Sequence, residues 1–323
     1  MRYIDIFNGD ADGILALLQL RLADPQQSLL VTGVKRDNQL ALKPQYRQGD
    51  IVTVLDLSLE KNINGVNRAL AAGATVHYID HHRSGNIPRH DSLTTNIDTS
   101  VDVCTALLID QQLKGRFHLW AITAAYGDNL VNVAEGLALA QGLSVPQRIQ
   151  LKELGVLINY NSYGHAIADL HIAPADLYQA LLAYHSPFDA IADSDSPYHR
   201  LKIAYAEDMQ QAQLAEVYYQ SDILKVVQLP DQAWARRVSG VLGNDLANGD
   251  PERAHIVLSQ ICDGNFMVSL RAPQNNKQGA SHICSQFKTG GGREGAAGIN
   301  CLAPNSIEAL LAITEQFYTE RNC

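Results

Sequence analysis

The chain has 323 residues, 46% hydrophobic and 18% charged, with a formal net charge of −9. That is enough for two domains with separate cores. The acidic balance disfavours a long nucleic-acid footprint, because sequence-independent affinity for a polyanion comes from Lys and Arg neutralising phosphates; a small phosphorylated substrate needs only a few placed cations. No apolar run approaches the roughly 20 residues that span a bilayer, and Met1-Arg2-Tyr3-Ile4-Asp5 reads as the entry to a strand instead of a secretory leader. A soluble, cytoplasmic protein with no membrane partner is expected. Cys104, Cys262, Cys284, Cys301 and Cys323 are odd in number and lack C-x-x-C spacing, which argues against a disulfide framework and a zinc ribbon.

In chain order, Tyr3-Ile4-Asp5-Ile6 predicts a strand, and Phe7-Asn8-Gly9-Asp10-Ala11-Asp12-Gly13 a turn opening an apolar helix over 14–22. A turn at Asp24-Pro25 leads to a strand over 29–34. Next come a strand over 51–55, a helix near 61–72 ending at Gly73, and a strand over 75–79. This alternation predicts an α/β domain with a doubly wound, mainly parallel sheet. Residues from about 103 to 183 read as helices, broken at Gly142, Pro146 and Asn159-Tyr160-Asn161. A boundary falls between Ser186-Pro187 and Ser196-Pro197, followed by a charged connecting helix over 199–220. Strands over 223–227, 254–258 and 265–270, a helix after Gly279 and another over 305–320 then predict a smaller α/β domain. The expected division is a domain over 1–190, a linker and connecting helix over 191–222, and a second domain over 223–323.

Acids stand at three strand ends: Asp10 and Asp12 after the first strand, Asp56 after 51–55, and Asp80-His81-His82 after Thr75-Val76-His77-Tyr78-Ile79. In an open parallel sheet, ligands bind in the crevice outside the carboxyl ends of the strands, so these groups converge without being close in sequence. Asp128, in Ala125-Tyr126-Gly127-Asp128-Asn129, is a fourth candidate. Carboxylates with imidazole suit Mn²⁺ or Mg²⁺ better than a Cys-based zinc site.

In type and order, these motifs resemble the DHH phosphoesterase superfamily. Near the C-terminus, Gly290-Gly291-Gly292-Arg293-Glu294-Gly295-Ala296-Ala297-Gly298 looks like the glycine-rich motif of the DHH-associated domain, so the resemblance spans essentially the whole chain. It implies a metal-dependent phosphodiesterase using two Mn²⁺ ions, with Mg²⁺ or Co²⁺ as substitutes. Two cations about 3.5–4 Å apart stabilise the charge of an in-line phosphoryl transfer. By resemblance, Asp56 bridges the pair, Asp10 serves the first ion, and Asp12, His81 and Asp128 complete the second. His82 is implied to face the phosphate, as electrostatic partner or as the acid that protonates the leaving alkoxide. Asp80 is implied to orient the histidines. One departure stands out: many family members carry His four residues before the first Asp, where this chain has Ile6. Asn8 could fill in or position water, and His165 or His199 could approach from elsewhere.

Consecutive glycines leave backbone N–H groups free to wrap an anion and let the chain approach a ligand closely, which makes Gly290, Gly291 and Gly292 candidates for binding phosphate or a terminal nucleotide. Arg293 replaces the usual His of the motif, and a guanidinium can bind phosphate bidentately or pair with the O6/N7 edge of guanine. Arg271 resembles the arginine that family members place beside the same pocket, and His282, ahead of the glycines, is a further candidate. The resemblance implies a metal centre that cuts while the second domain grips the far end, which selects short substrates. Hydrolysis of very short linear oligonucleotides such as pGpG or pApA to mononucleotides is the expected activity, with a homodimer compatible with it. A phosphoanhydride hydrolase acting on polyphosphate or pyrophosphate, and a nucleotide-binding member without turnover, are the competing expectations.

Overall fold

The structure is a computed structural model that describes residues 2–319; Cys323 and the end of the helix expected over 305–320 lie outside the described residues. It divides into two units, one up to Ala204 and one from Tyr205.

In the first unit, β1 (Tyr3–Phe7), α1 (Ala11–Ala23), β2 (Ser28–Val31), β3 (Ile51–Leu55), α2 (Leu59–Ala71), β4 (Thr75–Asp80) and β5 (Leu93–Ile97) follow one another. The five strands form a parallel sheet in the order β2-β1-β3-β4-β5. The order reverses between β1 and β3, the switch point at which doubly wound sheets open a crevice. Period-two patterning explains the layers: Ile4, Ile6, Val52, Val54, Val76 and Tyr78 bury one face against Leu59, Val66 and Leu70 of α2. On the opposite face Asp5 is fully buried and accepts from Arg21 of α1 at 2.5 and 2.8 Å and from the Ser28 hydroxyl at 2.6 Å. A buried carboxylate so satisfied ties α1 across β1 and β2.

Seven helices follow: α3 (Thr105–Gln112), α4 (His118–Gly127), α5 (Val131–Ala140), α6 (Val145–Tyr160), α7 (Pro174–Leu181), α8 (Pro187–Ala192) and α9 (Pro197–Ala212). α4 and α6 cross at glycine: a Cβ on Gly155 would lie 2.2 Å from the Thr123 carbonyl oxygen. Their backbones therefore approach as no other residue allows, and this sets the end of α4, where Asp128 stands.

The second unit contains β6 (Glu216–Gln220), β7 (Leu224–Leu229), α10 (Ala233–Gly249), β8 (Ala254–Gln260), β9 (Phe266–Arg271), α11 (Ala280–Cys284), β10 (Gly290–Gly292), β11 (Ala296–Leu302) and α12 (Ile307–Thr319). Its mixed sheet runs β10-β11-β9-β8-β7-β6, with β7 and β8 parallel and the other neighbours antiparallel. Leu224, Ile256, Val268, Leu270 and Ile299 bury against Ile283 of α11 and Leu310 of α12.

The α/β architecture agrees with the sequence-based expectation, with local corrections. β2 ends at Val31 instead of 34, because Gly33 and Val34 turn the chain into the loop that carries Lys35. The connecting helix stops at Ala212, and residues 216–220 pair as strand β6 with β7 instead of continuing it. Among the described residues no helix is long and apolar enough to cross a membrane.

Candidate metal centre

The turn after β1 brings Asp10 to the N-cap of α1, where Oδ1 accepts from the Gly13 N–H at 3.1 Å. Negative charge at a helix N-terminus is favoured by the free N–H groups and the helix dipole. Two residues on, Asp12 points away from its own helix, and its two oxygens accept from the N–H groups of Thr105 at 2.8 Å and Ala106 at 2.7 Å, which open α3. Asp12 is thus fixed from two helices that are far apart in sequence.

Asp56 follows β3 in the left-handed region, with φ of +56°, a conformation that costs an L-residue roughly 1–2 kcal/mol. The turn is held from β4: the Asp56 N–H donates to the Ile79 carbonyl at 3.1 Å, and the Tyr78 hydroxyl to the Leu57 carbonyl at 2.6 Å. Both carboxyl oxygens are buried with no hydrogen-bond partner. Burial, with Asp10, Asp12 and Asp80 nearby, pushes this carboxyl well above the usual range.

β4 ends in Asp80, followed by His81 and His82. His81 Nδ1 donates to the Val103 carbonyl at 2.8 Å, which leaves Nε2 facing two carboxylates, 3.3 Å from Asp56 Oδ1 and 3.6 Å from Asp12 Oδ2. A histidine pinned through one nitrogen and aimed with the other is oriented as a metal ligand. His82 Nδ1 lies 2.7 Å from the buried Asp80 Oδ1, and its side chain is 32% exposed. Asp128 caps the C-terminus of α4.

Two groups of donor atoms can each embrace an ion: Asp12, His81 and Asp128, and Asp56, His81 and His82, with all atoms in each group within 4.8 Å of one another. Carboxylate oxygens with imidazole nitrogen are the donor set of a divalent cation such as Mn²⁺ or Mg²⁺. The unpartnered oxygens of Asp56 are the strongest sign of fit, because buried carboxylates packed together need a positive charge among them. Burial likewise raises Asp12, only partly offset by His81, with Asp128 and Asp10 adding to the rise.

Asp10 belongs to neither group. Its Oδ2 accepts from the Lys35 ammonium, which also donates to Asn159 Oδ1 at 3.1 Å and stands 4.0 Å from Asp128 Oδ1. Burial raises the Asp10 carboxyl and so does Asp128, but the Lys35 ammonium and the neighbouring Asp56 carboxyl together hold it below its ordinary value. Asn8 donates from Nδ2 to the Lys35 carbonyl at 3.3 Å, so it braces the loop that carries the lysine. Neither His165 nor His199 enters the groups: His165 is exposed, and His199 Nε2 lies 3.1 Å from the Ile191 carbonyl. Lys35 is not among the residues that the sequence singles out. Its one signal is position, since Gly33-Val34-Lys35 follows β2 on the same carboxyl edge as the acids.

The second unit holds the remaining candidates. Arg271 is buried at the end of β9, with Nε donating to Asn244 Oδ1 at 2.6 Å, Nη2 to the Gly240 carbonyl at 3.2 Å and Nη1 to the Leu270 carbonyl at 3.3 Å. It braces α10 against the sheet. The glycines form β10, paired with β11. Packing explains Gly290, whose Cβ would lie 1.7 Å from the Cys284 carbonyl oxygen, whereas a Cβ on Gly291 would meet nothing within 4 Å. Gly292 pairs with Ala297 on β11, and Arg293 closes the hairpin through its N–H to the Ala296 carbonyl at 2.9 Å. His282 is exposed on α11, its ring 5.7 Å from that of Phe317.

This fold, a parallel sheet followed by a mixed-sheet unit, recurs in solved structures of other proteins. Solved structures sharing it include an exonuclease RecJ bound to manganese, at 17% identity and a TM-score of 0.54, with 98% of this chain and 90% of that one covered. RecJ from Thermus thermophilus in complex with Mn²⁺ matches at 15% identity and a TM-score of 0.56, where the match covers 99% of this chain and 52% of that longer chain. The pGpG-specific phosphodiesterase PggH from Vibrio cholerae matches at 14% identity and a TM-score of 0.50, over 100% of this chain and 99% of that one. No protein-family profile and no curated protein matches the sequence.

Proposed function

We propose that the protein is a divalent-metal-dependent phosphodiesterase that hydrolyses very short linear oligonucleotides, dinucleotides such as pGpG or pApA, to mononucleotides. The observation that carries this reading is the convergence of Asp12, Asp56, His81 and Asp128 at the switch point, with Asp56 buried and unpartnered. These residues would hold the ion, Mn²⁺ by preference, with Mg²⁺ or Co²⁺ as substitutes. When bound, such an ion neutralises phosphoryl charge and makes a water acidic enough to attack at neutral pH.

The chain's own residues supply the rest. His81, tethered to Val103, and Asp12, tethered to α3, keep the donor atoms in place before the ion arrives, so little reorganisation is needed on binding. His82, held by Asp80, gives a proton to the departing 3′ oxygen as the P–O bond breaks, while the attacking water gives up a proton to solvent as its oxygen bonds to phosphorus. Asn8, Gly290 to Gly292, Arg271, Arg293 and His282 are proposed to recognise substrate, with Arg293 gripping a terminal phosphate or a guanine edge. Likeness of fold to PggH along nearly the full length of both chains supports a dinucleotide over a long strand, and so does the net charge of −9.

The test is chromatographic product analysis with Mn²⁺ and pGpG, pApA, longer RNA, cyclic dinucleotides, pyrophosphate and polyphosphate, with Asp56→Ala as control. Mononucleotides from dinucleotides alone, lost in the variant, are expected. Phosphate release from polyphosphate, or no turnover of any substrate, would overturn the assignment.

A further inference from the structure

The Lys35 ammonium stands inside the acidic centre and is built in. Its side chain is only 22% exposed, Asp10 Oδ2 and Asn159 Oδ1 accept its protons, and the Tyr163 ring lies 5.6 Å away. The backbone is fixed on both sides: the Lys35 N–H donates to the Ser162 carbonyl at 2.9 Å, and its carbonyl accepts from Asn8. Asn159 is itself buried at the end of α6. An ammonium on Asp10 and 4.0 Å from Asp128 occupies the place from which a cation would reach both carboxylates. On β1, Ile6 is fully buried and offers no ligand atom, and Asp5 is already held by Arg21 and Ser28.

With Lys35 on Asp10, the donor groups around Asp12, Asp56 and His81 remain available to a divalent ion.

We propose that Lys35 permanently takes the place of one of the two cations that phosphoryl-transfer centres commonly use, so that this protein works with a single divalent ion. The ammonium keeps Asp10 from ligating and presents a fixed positive charge to the non-bridging oxygens of a bound phosphate, as a point charge suited to that role. This inference rests on the metal-dependent reading above.

The deciding measurement is the Mn²⁺ content of the full chain after chelator stripping and reloading, read by elemental analysis together with the electron paramagnetic resonance of the bound ion. One ion per chain with the spectrum of an isolated Mn²⁺ is expected, rising to two ions with a spin-coupled spectrum in Lys35→Met. Two ions in the wild-type protein would overturn the substitution by lysine and leave the metal-dependent reading standing. No bound ion would overturn both. A folded Lys35→Met protein that still takes only one ion would show that the ammonium excludes nothing, which also overturns the proposal; the wild-type count decides the matter should that variant fail to fold.

Discussion

His82 Nδ1 lies 2.7 Å from Oδ1 of Asp80, a carboxylate with no exposed surface, so the ring is anchored at one nitrogen and turned outward with the other. The anchoring carboxylate decides which nitrogen can meet a phosphate. His82→Ala is expected to lower kcat about 10²–10⁴-fold while dinucleotide binding survives. Steady-state kinetics with a separate binding measurement would check this, and a wild-type kcat would remove the imidazole from the reaction.

Asp56 gives a pH prediction for the metal-free protein. Its folded-state carboxyl is raised, so the fold prefers it protonated; that contribution is fully present below the ordinary value of 3.8 and is lost as pH rises through the raised value. Asp56→Asn, which tolerates the left-handed turn, should therefore melt at a higher temperature than wild type at neutral pH in chelator. The gap should close toward acid. Added Mn²⁺ should stabilise wild type more than the variant. Parallel melting curves at two pH values would decide it, and identical curves would mean that Asp56 carries no repulsion.

Arg271 separates a structural from a recognition role. Its donations to Asn244, Gly240 and Leu270 predict that Arg271→Ala loses about 2–4 kcal/mol of stability, because buried acceptors are left unpaired. Denaturant unfolding is the check. An unchanged midpoint with a raised KM would assign this side chain to substrate alone.

His255, on β8, is buried with no partner on either ring nitrogen. Burial depresses its folded value below the ordinary 6.5, outweighing the pull of Asp250. The folded chain then refuses a proton that the unfolded chain accepts, so stability falls as pH drops below 6.5. His255→Leu should flatten this acid loss between about pH 7 and about pH 5, seen as a smaller difference between melting temperatures. An equal acid loss in both proteins would clear His255 of the effect.

The sheet and the acids at its edge are legible in the sequence because short apolar runs and βα turns are local signals. Asp10, Asp12, Asp56 and the Asp80-His81-His82 run each follow a recognisable strand. β5 is not legible because Leu93-Thr94-Thr95-Asn96-Ile97 is a half-polar edge strand, and α10 is obscured by glycines and asparagines that read as loop. Tertiary packing overrides propensity in both. The hairpin of β10 and β11 is hidden for a related reason: glycine at 290 answers the close approach of the Cys284 carbonyl, a contact that sequence does not display. Lys35 is invisible because a lone lysine after a strand is commonplace. Only folding brings it onto Asp10 and Asn159, the latter 124 residues away.

Asp12 joins the candidate metal centre to the start of α3 through the N–H groups of Thr105 and Ala106. Any cation that draws electron density from that carboxylate weakens it as an acceptor for both. Those two amide protons are thus an internal gauge of occupancy: their resonances should move as the centre fills, reporting on the ion from a helix that contributes no ligand of its own.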